Sequence, residues 1–219
     1  MGAVIFDFDS TLLPGESVQE LLQSLVADDP AAKARIAQLV DDGMNGRISF
    51  RESMEQRLAL AQPTREQLTA FGRHLATRIP DDARLLVAAL RSRGHQVWIV
   101  SGAFLDLLRP AGESLGIAHD RICGVDARWT DDDRFEGLDA GNGFADAKTD
   151  GARRLPHPWS RPAVGVGDGM TDHALFSSGF VDHFIAFTAY ARREAVLATG
   201  CPEAASMTDL AHHLERLLP

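Results

Sequence analysis

Two aspartates at i and i+2, Asp7 and Asp9, stand where the continuous apolar run of residues 3–6 ends. With the two-residue period of an extended chain, both carboxylates can point to one side while Phe8 packs the other way. Carboxylates that close repel one another, so a cation between or beside them is the chemistry the pair suggests; a turn or a helix cap is the plain structural alternative. Gly167-Asp168-Gly169-Met170-Thr171-Asp172 ends a second apolar run and adds two more carboxylates. Its flanking glycines let the backbone turn sharply, although turns rich in Asp and Gly also occur with no ligand. Carboxylates on such tips, with backbone carbonyls nearby, suit a hard, oxygen-ligated ion. Mg2+ is the expected metal, because it keeps waters and shares phosphate oxygens.

Two further positions suit an anion. Ser101-Gly102 follows the apolar run 97–100 and reads as the start of a helix, where free N–H groups, the macrodipole and the hydroxyl favour a phosphate oxygen. Taken alone, the pair equally fits an N-capping serine with no ligand. Lys148 precedes a predicted helix after a Gly/Ala-rich loop, and taken alone it reads as a solvated surface charge.

These tips need strands and helices to hold them. Runs 3–6, 97–100, 163–166 and 184–187 read as strands buried on both faces. Between them, Ala83, Leu86, Val87 and Leu90 keep helical spacing, with Asp81 or Asp82 as N-cap and Gly94 as stop, and a second helix spans 104–115. Strands alternating with helices predict an α/β fold with a doubly wound parallel sheet, whose ligands bind beyond the carboxyl ends of the strands. Residues 18–26, 32–40, 49–61 and 65–78 carry helical periodicity without a strand, which predicts a helical cap inserted after the first strand. Residues 122–138 mix β-formers around Asp131-Asp132-Asp133 and predict a hairpin.

Composition narrows the partners. At 219 residues, with 45% hydrophobic and 24% charged, the chain can bury a core. The net charge of −9, with no Lys/Arg cluster to interrupt it, argues against nucleic acid as a partner. Cys123 and Cys201 form neither a disulfide framework nor a zinc-binding spacing, which fits a reducing cytoplasm, and no 18-residue apolar stretch suggests a membrane span. The expected partner is a small-molecule phosphoester; the oligomeric state is not legible.

Asp-x-Asp-x-Thr at Asp7, Asp9 and Thr11, then Ser101, Lys148 and Gly-Asp-Gly-x-x-Asp, resembles the haloacid dehalogenase (HAD) superfamily of aspartyl-phosphate-forming hydrolases. Glu16, Met44-Asn45-Gly46 followed by Phe50 and Arg57, and Ser101-Gly102-Ala103-Phe104 extend the resemblance to its phosphoserine phosphatase family, from residue 4 to about 210. The resemblance implies a Rossmann-like core of the HAD type over residues 1–14 and 80–219, with the cap over 15–79. It implies Asp7 as nucleophile and Asp9 as general acid and base. Asp168, the Asp7 carboxylate and the Asp9 carbonyl would ligate Mg2+, with Asp172 supporting the metal site. Ser101, Gly102 and Lys148 would hold phosphate. Glu16, Met44, Phe50, Arg57, Thr171 and Arg193 would contact the rest of the substrate.

Phosphoserine presents an ammonium and a carboxylate, which Glu16 and Arg57 could receive. Phe50 and Arg57 are seven apart on one predicted helix and so share a face. The alternative is that Phe50 is cap core and Arg57 pairs with Glu52 or Glu55. Two departures stand out: Thr171 replaces the family's frequent Asn, and Ala103 replaces a usual Gly, bringing a methyl into the phosphate loop and leaving substrate preference open. Phosphohomoserine, phosphocholine or phosphotransfer to an alcohol are alternatives within the class. Outside it stand a phospho-accepting receiver domain, which needs neither a long cap nor Asp9 as an acid, and a catalytically silent binding module.

Overall fold

The computed structural model describes residues 1–44, 47–157 and 159–218, without the Met44 side chain. Strand β1 (Ala3–Phe6) is followed by four helices, α1 (Ser17–Leu25), α2 (Pro30–Met44), α3 (Phe50–Ala61) and α4 (Arg65–Arg78). Then come α5 (Asp81–Ser92), β2 (Gln96–Phe104), α6 (Leu105–Ser114), β3 (Ile122–Trp129), β4 (Phe135–Asp139) and α7 (Lys148–Arg153). The chain continues through β5 (Ala163–Gly167), α8 (Met170–Ser177), β6 (His183–Phe187), α9 (Glu194–Leu197), β7 (Glu203–Ala204) and α10 (Met207–Leu217).

One sheet runs β4-β3-β2-β1-β5-β6-β7, parallel except at the β3–β4 hairpin. This is the expected α/β, doubly wound architecture. Alternation along β1 shows why it is apolar throughout: Val4 and Phe6 join the large core on one side of the sheet, Ala3 and Ile5 the smaller core on the other. Phe6 pairs with Ile99 of β2 and Val166 of β5. Chain order diverges to either side of β1, so a crevice opens at the carboxyl ends of these three strands. Ser101 and Asp168 each lie two residues beyond Phe6's partners, level with the Asp7 turn.

Several local expectations need correction. Ser101-Gly102 does not start a helix: β2 runs on to Phe104 through a register shift against β3, and α6 begins only at Leu105. The N-cap of α5 is Pro80, not Asp81 or Asp82, and the Asp82 carboxylate instead accepts from the Ala83 N–H at 2.9 Å. β1 stops at Phe6, so strand alternation does not aim Asp7 and Asp9. Past the strand the N–H groups of Leu12 and Leu13 both donate to the Phe8 carbonyl, and Ser10 takes φ 51.

The helices between β1 and α5 follow the predicted order. Ser49 caps α3 by accepting from the Glu52 N–H, and Thr64 with Gln67 forms a capping box at α4. Gly72 lets α4 lie directly on the α6 backbone, since a Cβ there would collide with the Leu107 carbonyl. The hairpin reaches this helix too, the Asp133 carbonyl accepting from the Arg65 N–H at 3.0 Å. Among the described residues no helix is long and apolar enough to cross a membrane.

Candidate active site

The crevice beyond β1, β2 and β5, roofed by the inserted helices, is a cavity of about 520 Å³. Asp7, Asp9, Glu16, Phe50, Arg57, Ser101, Gly102, Lys148, Asp168, Thr171, Asp172 and Arg193 all line it. Met44 ends α2, and its side chain, like Asn45 and Gly46, lies outside the described residues.

Lys148, the first residue of α7, is buried between carboxylates: its ammonium sits 2.7 Å from Asp7 Oδ1 and also donates to Asp172 Oδ1. Burial opposes its charge, but Asp172 and Asp7 outweigh that and hold its pKa above the ordinary lysine value. Asp7 Oδ1 also accepts from the Phe8 N–H at 2.7 Å. Asp172 Oδ2 accepts from the Gly169 N–H at 3.0 Å. Gly167 makes room for that carboxylate, because a Cβ there would overlap it. Burial and the nearby Asp7 charge raise the Asp172 pKa despite Lys148.

Asp168 is buried, and its Oδ2 accepts from Arg193 Nε at 2.5 Å. Burial raises its pKa, with the Arg193 bond pulling the other way. Arg193 Nη2 also reaches Glu16 Oε1 at 3.4 Å, and Ser10 Oγ donates to the same oxygen at 3.1 Å. Glu16 is raised by burial and by Asp168. The Asp9 carboxylate turns to the first residue of α1: Ser17 N donates to Oδ1 at 3.0 Å and Ser17 Oγ to Oδ2 at 2.9 Å. Burial, then Asp7 and Glu16, push Asp9 well above the usual carboxylate range.

Asp7, Asp168 and Asp172 each offer a carboxylate oxygen, all within 4.8 Å of one another. Three hard oxygen donors that close, two of them with raised pKa values, fit a divalent cation, which would relieve their repulsion. The Asp9 carboxylate is not in this group.

On β2, the Ser101 hydroxyl is buried and accepts from the Ala103 N–H at 3.1 Å. The Ala103 methyl does not enter the phosphate loop; Ala103 is 1% exposed and packs in the large core. Phe50 reaches over Gly102, its Cζ 3.3 Å from where a Cβ would stand. Arg57 is buried, donating to the Ser53 carbonyl at 3.2 Å and to Met54 Sδ at 3.6 Å. Among the described residues no carboxylate lies within ion-pair reach of Arg57, so the Glu52 and Glu55 pairings do not form. Burial draws its pKa down to about 10, against the pull of Glu16. Thr171 stands exposed in the first turn of α8.

The sequence reading missed Ser17 and Met54. Met54 falls at i+4 between Phe50 and Arg57, so the helical spacing already placed it on their face. Ser17 carries no local signal, because its partner lies across a turn.

A family model of haloacid dehalogenase-like hydrolases matches residues 4–177. A phosphoserine phosphatase of Bos taurus is 27% identical over 197 residues, 89% of this chain and 84% of the relative. A chloroplastic phosphoserine phosphatase of Arabidopsis thaliana is 28% identical over 200 residues, 90% of this chain and 66% of the relative. The crystal structure of a phosphoserine phosphohydrolase-like protein from Francisella tularensis subsp. tularensis SCHU S4 superposes with a TM-score of 0.89 at 32% identity, over 98% of this chain and all of the other.

Proposed function

The chain belongs to the haloacid dehalogenase-like hydrolases, and from that premise we propose that it is a Mg2+-dependent phosphomonoesterase hydrolysing O-phospho-L-serine to L-serine and phosphate through an aspartyl phosphate on Asp7. The observation that carries the substrate reading is Arg57: a buried guanidinium with no carboxylate partner among the described residues, lining the same cavity as Lys148 and the acidic group. A buried unpaired charge is costly to keep, and a substrate carboxylate would supply its missing partner.

In this reading the phosphate lies between Lys148 and the Ser101-Gly102 end of β2. Asp7, fixed through Oδ1 by Lys148 and the Phe8 N–H, attacks phosphorus with a carboxylate oxygen. The bond from phosphorus to the serine oxygen breaks, and Asp9 gives that oxygen its proton. Burial favours the protonated form of Asp9 at the outset. Asp9 then takes a proton from the water that attacks the aspartyl phosphate, releasing phosphate and restoring Asp7. Mg2+, held by Asp7, Asp168 and the Asp9 carbonyl with Asp172 beside them, would offset the negative charge gathered at phosphorus. Glu16 would face the substrate ammonium, Phe50 and Thr171 would bound the serine portion, and Arg193 would reach the substrate from beside Asp168. Residues 15–79 act as a cap over a core of 1–14 and 80–219.

Phosphate release from O-phospho-L-serine, with Mg2+ and with EDTA, tests the reading against phosphothreonine, phosphohomoserine and phosphocholine. Preferential, EDTA-sensitive release from phosphoserine supports it; full activity without metal, or preference for an ester lacking a carboxylate, overturns it.

A further inference from the structure

Arg51, the second residue of α3, directs its guanidinium at Asp146, with Nε 2.8 Å and Nη2 2.7 Å from Asp146 Oδ1. The two belong to different parts of the molecule, since Arg51 rides on the inserted helices and Asp146 lies two residues before Lys148. The Asp146 end is a rigid post. Phe144 and Ala145 beside it are buried, and the Asp146 N–H donates to the Gly143 carbonyl at 3.1 Å. Asn142 Nδ2 fastens the same loop to the Gly124 carbonyl at 3.0 Å, and Arg154 Nη1 donates to the Ala140 carbonyl at 2.5 Å.

The Arg51 end adjoins Phe50, whose ring covers Gly102 although the residue is 39% exposed. A residue with that much of its surface left in water is only partly fixed by apolar burial, and a second anchor would hold it more closely. A guanidinium tied to a rigid post supplies one, because it fixes the first turn of the helix that carries the ring.

We propose that Arg51 and Asp146 are positioning residues, whose ion pair holds Phe50 and the first turn of α3 over Ser101-Gly102 and so sets how tightly a phosphoester is retained. The kinetic part rests on the phosphoester reading; the structural part does not. The pair is half-exposed, so its effect is modest and screened by salt.

The test compares Arg51→Ala, Asp146→Ala, the double alanine variant and the exchange Arg51→Asp/Asp146→Arg. With O-phospho-L-serine, each single variant should raise KM about 2- to 5-fold, the range open to such a pair, and keep kcat within about twofold. The double variant should be no worse than either single one, and the exchange should recover part of the loss, since Arg51 also meets Glu55 at 3.9 Å and the exchanged carboxylate would not. Without substrate, hydrogen exchange of the α3 amides should quicken in both single variants and return toward wild type in the exchanged pair. Unchanged α3 exchange in the single variants, effects that add in the double variant, or an unchanged KM while phosphoserine turns over each overturn the proposal. If phosphoserine is not turned over, the substrate reading fails and the exchange pattern alone decides the positioning.

Discussion

Ser17 holds both oxygens of the Asp9 carboxylate, its N–H on Oδ1 and its hydroxyl on Oδ2. Ser17 is fully buried at the start of α1, so Asp9 serves that helix and faces the cavity at once. A hydroxyl both donates and accepts, so this contact survives when Asp9 gains or loses its proton.

Replacing Asp9 with Asn removes the proposed proton donor. Hydrolysis of O-phospho-L-serine should slow by about 10²–10⁴-fold, because the serine alkoxide leaves poorly without a proton. With p-nitrophenyl phosphate the phenolate leaves unaided, so stopped-flow absorbance should show a burst of nitrophenol followed by slow turnover. Equal losses on both substrates without a burst would assign Asp9 to the fold alone.

Arg57→Ala should raise KM for phosphoserine by about 10- to 150-fold, corresponding to a charge-assisted contact of roughly 1.5–3 kcal/mol. A phosphomonoester without a carboxylate should be little affected. Steady-state kinetics on both esters separate recognition from structure, and a common loss would make Arg57 structural.

The buried methyl of Ala103 makes a prediction opposite to the one its place in the loop suggests. Ala103→Gly should leave KM for phosphoserine unchanged while lowering Tm by about 2–4 °C, the shift about 1 kcal/mol produces in a chain of this size. A changed preference among phosphoesters would return that methyl to the binding site.

Asp9, Glu16, Asp168 and Asp172 all have folded-state pKa values raised first by burial. A raised folded pKa means that these groups favour folding while protonated, and that this contribution is lost as pH rises from the ordinary carboxylate range through the raised values. Metal-free protein should therefore melt higher near about pH 6 than near about pH 8, by calorimetry in EDTA. Mg2+ should stabilise more at the higher pH, where the proposed carboxylate ligands are ionised. A Tm that rises with pH in EDTA would contradict these raised values.

What the sequence disclosed was whatever repeats locally. Continuous apolar runs announced β1, β2, β5 and β6, and helical periodicity announced α4 at Arg65–Arg78. Ser101 was misread because a Ser-Gly after a strand resembles a helix start, whereas Phe104 still pairs with Val125 of β3 and carries β2 onward. The two-residue strand β7 is too short for any period. Arg51 and Asp146 lie far apart in the chain, and only the folded sheet and the inserted helices bring them together. The acidic motifs were legible as types; that the Asp9 carboxylate bonds Ser17 instead of joining Asp7, Asp168 and Asp172 was not, because the turn after Phe6 decides it.

The placement of β1 also constrains synthesis of the chain. Its neighbours are residues 96–99 on one side and 163–166 on the other, so the first of these seven strands to emerge waits for partners made much later. The inserted helices can form locally in that interval, while Ala3–Phe6 remains an apolar segment with unpaired edges. The acidic centre cannot exist until β5 arrives. A chain halted before residue 163 would present the strand that leads into Asp7 as a sticky edge, and chaperone capture of nascent chains should peak over that span.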